Sequence, residues 1–173
     1  KGLKTLEEKS DFLQDQFKGQ ECYILTCGPS LKEHDPKKLR HLLTDKLTLS
    51  VKQAYDYAPD VTDFHFWNCS NLPGLTHEGN HYPYWIKEPI VVASSNYDLG
   101  TRWDRNNQTH DLFFKIPIRT EINNEFLTRT KEFDKHMLEN SLTRPCGPGI
   151  MLETVFYMAA HLGVSKITAI GWD

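Results

Sequence analysis

The sequence predicts an α/β fold: a single Rossmann-like domain with a mainly parallel sheet flanked by helices. Three observations carry this. Short β-branched and aromatic runs alternate with helical patterns along the whole chain, the order that builds parallel sheets. The first of these runs, Cys22 to Leu25, stops at a small-residue turn, Gly28-Pro29-Ser30, before a polar segment. At 173 residues the chain suits one domain, spanning 1–173, with a full core.

Each element follows from local pattern. Thr5 to Lys18 sets Leu6, Leu13 and Phe17 near one face, with Phe12 beside them, and predicts an amphipathic helix. Cys22 to Thr26 is the first strand. Asp35 caps a short helix, Pro36 to Leu43, with proline in its first turn. Lys46 to Val51 alternates polar and apolar residues as a second strand, and Val61 to Trp67 is an aromatic-rich third. Asn71 to Trp85 is a long excursion rich in Gly, Pro, His and Tyr, of the kind that carries function. Pro89 to Ser94 is a buried strand followed by a polar loop from Ser95 to His110, and Asp111 to Ile118 is another short strand. Glu121 to Asn140 shows a broken helical pattern through Ile122, Phe126, Phe133 and Met137. The loop Thr143 to Gly149 opens an apolar helix, Ile150 to Leu162, closed by Gly163, and Ser165 to Ile170 is the last strand.

Composition narrows the function classes. Hydrophobic content of 39%, charged content of 25% and a net charge of -3 describe an ordinary globular chain. Without a basic excess, a nucleic-acid or anionic-membrane surface is not expected. No apolar run approaches the ~20 residues of a membrane span, and Lys1 to Lys18 has no signal-like apolar core. The four cysteines form no CxxC pair, which points to free thiols in a reducing, cytoplasmic setting, and the eight histidines are scattered, so no metal site is expected. The chain ends on Gly171-Trp172-Asp173, directly after a strand, and further residues are expected beyond it.

In parallel α/β sheets, ligands bind beyond the carboxyl ends of strands, near the point where strand order reverses. Cys27 to Ser30, Lys52 with Gln53, Asn68 to Asn71 and Gly171 to Asp173 all fall at such ends. Gly28 admits close approach to the backbone, Pro29 sets φ, and Ser30 is a good N-cap with a free hydroxyl. Gly28-Pro29-Ser30 and Gly147-Pro148-Gly149 each open a helix, and two helix N-termini facing one crevice would hold a phosphate; two unrelated tight turns would look the same. Asn68 carries an amide able to read a base or ribose edge, or to form a turn. Arg144 has a planar fork suited to phosphate or carboxylate, and Asp173 could act as a base, contact a ribose or close a turn. The four tryptophans could line a base or sugar pocket, although tryptophan more often packs in the core.

Cys27-Gly28-Pro29-Ser30-Leu31-Lys32-Glu33 resembles the opening of the bacterial lipooligosaccharide sialyltransferases, and Arg144 through His161-Leu162-Gly163 to Gly171-Trp172-Asp173 resembles their closing helix and strand. Phe66-Trp67-Asn68-Cys69-Ser70 is similar to that family's strand followed by a nucleotide-contacting asparagine. The resemblance implies a CMP-sugar dependent glycosyltransferase of lipopolysaccharide biosynthesis. It would transfer the sugar with inversion to a glycan acceptor and need no cofactor or metal, and it leaves a homo-oligomer open. The family's first-loop asparagine is replaced here by Cys27, and its next one by Lys52 or Gln53. The Gly147-Pro148-Gly149 loop lacks the family's Thr-Ser-Gly. The same Gly-Pro-Ser-Leu opening and Gly-x-Asp close also resemble the MptE-like hydroxymethylpterin diphosphokinases. That resemblance implies diphosphate transfer with Mg²⁺, for which Asp173 would supply a ligand. A catalytically silent ligand-binding module is the third reading.

Overall fold

A computed structural model of the chain describes residues 2–69, 89–95, 111–117, 121–122, 125–126, 129–145 and 149–173. Its strands are β1 (Glu21–Leu25), β2 (Leu47–Val51), β3 (Phe64–Cys69), β4 (Ile90–Ser95), β5 (Leu112–Lys115), β6 (Glu121–Ile122), β7 (Glu125–Phe126) and β8 (Lys166–Ile170). Six of them form a parallel sheet in the order β5-β4-β3-β2-β1-β8. The Rossmann-like expectation holds. The chain steps outward from β1 to β5 and then returns to lay β8 on the other side of β1, so the strand order reverses between β1 and β8.

Burial on both faces explains why the strand sequences are apolar with little alternation. Every residue of β2 is buried, including Thr48 and Ser50. The polarity of Ser50 is tolerated because its Oγ lies 2.7 Å from Thr62 Oγ1, which donates in turn to the Ala58 carbonyl. One sheet face presents Cys22, Ile24, Leu47, Leu49, Val51, Phe64 and Phe66 to Leu13, Val155, Met158 and Leu162. The other packs Leu25 and Tyr23 against Leu31, Leu39 and Leu43.

The helices obey their end signals. In α1 (Leu6–Leu13), Thr5 and Glu8 form a reciprocal capping box. The helix ends short of the expected Lys18, because Asp15 adopts φ 58 and its N–H donates to the His161 carbonyl at 2.9 Å. In α2 (Pro36–Leu43), Asp35 Oδ1 accepts from the amides of Lys37 and Lys38 at 2.8 and 3.1 Å, as the sequence predicts.

Three expectations are corrected. Glu121 to Asn140 is not helical from its start: β6 and β7 pair antiparallel, and among the described residues its α-helix is α3 (Phe133–Leu138). Apolar residues four apart fit either period, and Asn123-Asn124 between them is turn-forming sequence. The helix from Ile150 is not uniform: a π-helical turn, Met151–Val155, precedes α4 (Phe156–His161), and Gly163 follows at φ 80. Strand β3 runs on through Cys69, so Asn68 lies within it, paired with Ser94, rather than beyond its end. The excursion Asn71 to Trp85 and most of the loop Ser95 to His110 lie outside the described residues. Among the described residues, no helix is long and apolar enough to cross a membrane.

Cys22 and Cys27 are free thiols in contrasting settings, one buried and one exposed. Burial pushes the Cys22 thiol up to about 11 from an ordinary 9.0. A raised folded-state value favours the neutral thiol, so its contribution to stability is complete below pH 9 and is lost as pH rises from about 9 to 11. Urea denaturation across that range should show the loss, and Cys22→Ala should flatten it. Alkylation of the native protein at about pH 8, mapped by peptide, should label Cys27 and spare Cys22.

Candidate functional site

The loops after β1 and β8 meet at the reversal point of the sheet. Thr26 N continues the ladder to Ile170 O at 2.9 Å, and Gly28 N donates to Gly171 O at 2.7 Å. Thr26 Oγ1 donates to the carbonyls of Ile170, at 3.1 Å, and Gly171. The two backbones come so close that a Cβ on Gly28 would lie 2.2 Å from Gly171 O and 2.3 Å from Asp173 Oδ1. Gly171 itself adopts φ 78, where a side chain would be strained.

Asp173 closes this corner. Its Oδ1 accepts from Ser30 Oγ at 2.6 Å, and its two oxygens lie 3.3 and 3.1 Å from Ser30 N. Ser30 is therefore not an N-cap. The turn opens a 3₁₀ helix, Pro29–Glu33, whose preceding residue is Gly28, and the Ser30 hydroxyl donates to Asp173. Pro29 has no N–H, which leaves the Ser30 amide as an early free donor of the turn, and the carboxylate takes it. A phosphate, the expected occupant of this corner, would face the charge of Asp173. That repulsion is about 4 kcal/mol per pair of unit charges 4 Å apart at an effective dielectric of 20.

Other expected residues divide into those that reach this edge and those that do not. Cys27, exposed, places its thiol 3.0 Å from Val51 O and 3.6 Å from Gln53 Oε1, joining the ends of β1 and β2. Lys52 opens a second 3₁₀ segment, Lys52–Tyr57, at φ 49, and its carbonyl lies 3.0 Å from Nε2 of the buried His65. The His65 ring stacks on Tyr55 at 4.6 Å. Gly149 stands at the start of the helical segment, with φ 141 and open space around it. Gly147 and the side chain of Asn68 lie outside the described residues.

Arg144 is corrected most sharply. Expected to meet a phosphate, it is fully buried. Nε donates to Glu153 O at 3.1 Å, one terminal nitrogen to Glu139 O at 2.7 Å and the other to Met137 O. The guanidinium lies 3.8 Å from the centre of the Tyr157 ring. Burial lowers its pKa from the ordinary arginine value and raises that of the Tyr157 phenol. Its amide bonds to Lys115 O at the end of β5, four strands or roughly 19 Å from β1. It works as a strut that ties α3 to the π-helical turn, because three backbone carbonyls use its fork.

Two contributors had no sequence motif to mark them. Thr26 resembles any strand-terminal threonine, and the 5.3 Å contact of Phe156 with the exposed Trp172 joins side chains that no local pattern pairs. An open cleft of about 370 Å³ lies elsewhere, lined by Leu43, Asp45, Lys46, Asp60 and Asp63 near the amino ends of β2 and β3. Fold and site define a Rossmann-like α/β domain in which the loops after β1 and β8 meet at the switch point. No family model matches the chain, and no curated protein is significantly similar to it.

Replacing Arg144 with methionine should remove its donors from three backbone carbonyls, two of them in buried bonds, and cost about 3 kcal/mol or more in urea denaturation. Gly28→Ala should lower stability by about 1–3 kcal/mol, read as a fall in Tm, since its Cβ has no room beside Gly171.

Proposed function

We propose that the chain is a nucleotide-sugar dependent glycosyltransferase, with a CMP-sugar as donor and a cell-surface glycan as acceptor, acting in the cytoplasm. The observation that carries this reading is the meeting of Cys27, Gly28, Ser30, Gly171 and Asp173 at the switch point, where parallel α/β sheets take nucleotides. The resemblance of the opening and closing motifs to the sialyltransferases supplies the donor class. In this reading the acceptor hydroxyl attacks the anomeric carbon, loses its proton to a base, and displaces CMP with inversion. Lys52, at the neighbouring strand end, would offset charge on the departing phosphate, and Asn68 would orient the nucleotide. Arg144 is given no part in it.

The exposed carboxylate of Asp173 at the switch point favours one second reading, a magnesium-dependent diphosphate transfer of the MptE-like kind, since Mg²⁺ takes oxygen ligands. Calorimetry with CMP, CDP, UDP, GDP, ATP and GTP, each with and without Mg²⁺, separates the readings. Saturable CMP binding that ignores chelator is the expected result. Magnesium-dependent ATP or GTP binding would put the diphosphokinase first. Absence of binding by every nucleotide would overturn both and leave a silent module.

A further inference from the structure

We infer that Asp173 is the specificity-determining group where the β1 and β8 loops meet and that it takes the 2′- and 3′-hydroxyls of a ribose. The inference rests on the reading that a nucleotide occupies the switch point, and it places the sugar of that nucleotide. The corner has the shape of a phosphate site, but its donors are already used. Ser30 N and Oγ both point at the Asp173 carboxylate, at 3.1 and 2.6 Å, so what the corner offers a ligand is negative charge and acceptor lone pairs. An ionised carboxylate has about four acceptor positions. Ser30 and the Gly28 backbone hold Oδ1 on one side, Oδ2 takes only the Ser30 amide at 3.1 Å, and the residue is exposed. Two vicinal hydroxyls are the complementary ligand, because each can donate to one oxygen, and hydrogen bonds to a charged acceptor are the strong kind.

The surroundings hold that carboxylate in place. The missing Cβ at Gly28 lets Asp173 Oδ1 approach its backbone, and Gly171 at φ 78 lets the chain turn after β8 to deliver it. Trp172, the preceding residue, is 60% exposed and packs on Phe156 at 5.3 Å. Asp173 is thus a binding residue, and Ser30 is the positioning residue that orients it.

The test is calorimetric titration of the chain and of Asp173→Asn with CMP, 2′-deoxy-CMP and 3′-deoxy-CMP, and with the ribo and 2′-deoxy forms of AMP, GMP and UMP. Asparagine keeps an oxygen for Ser30 Oγ, and thermal melting confirms that the variant is folded. The expected result is a loss of about tenfold or more on removing either hydroxyl, and a collapse of that preference in Asp173→Asn. Equal binding of ribo and deoxy forms of CMP would overturn the inference while leaving the CMP reading in place. A ribose preference for a different base would support the inference and overturn the CMP reading. A preference that survives in Asp173→Asn would overturn the assignment to this residue. Failure of every nucleotide to bind would overturn both.

Discussion

The close approach of the β1 and β8 loops is the constraint on which the rest of this structure depends. Gly28 N reaches Gly171 O at 2.7 Å, a distance that no side chain at Gly28 would allow. That contact carries the parallel ladder past the ends of the strands and turns two loops toward each other. Ser30 and Asp173, separated by 143 positions in the chain, meet because of it. With any other strand beside β1, the same apolar residues could be buried while these two polar groups stood apart.

Burial on both faces sustains that geometry. Strands β1 and β2 are held between α1 and the Met151–His161 helical segment on one side and α2 on the other, which makes their ends a rigid platform. Parallel strands need such cover, since each contributes apolar residues to both layers. Two buried polar groups are accommodated within the fold by local satisfaction. Thr62 serves Ser50, and at the far edge the backbone carbonyls of Met137, Glu139 and Glu153 serve Arg144.

The corner between the β1 and β8 loops has an electrostatic character opposite to the one its backbone suggests. A glycine turn opening a helical segment is ordinarily an invitation to an anion. Here the anion belongs to the chain itself. The proposed nucleotide would therefore present hydroxyls rather than phosphate to the corner, and its phosphate would lie on the side away from Asp173. This division follows from one carboxylate and sets a direction for the ligand across the strand ends.

Alternation of apolar runs and helical patterns is enough to determine the parallel α/β class, the cap at Asp35, the strand at 47–51 and the helix stop at Gly163, because these depend on neighbours within a few residues. The same local information places Cys27, Gly28, Ser30 and Asp173 at strand ends. It misjudges Arg144, since a buried guanidinium held by carbonyls and an exposed one awaiting phosphate have the same sequence signature. It also misses the antiparallel pairing of β6 with β7, where spacings of four suit helix and strand alike. Only the tertiary structure decides that Ser30 spends its donors on Asp173, because that bond depends on which strand lies beside β1, and strand order is set by packing across the whole sheet.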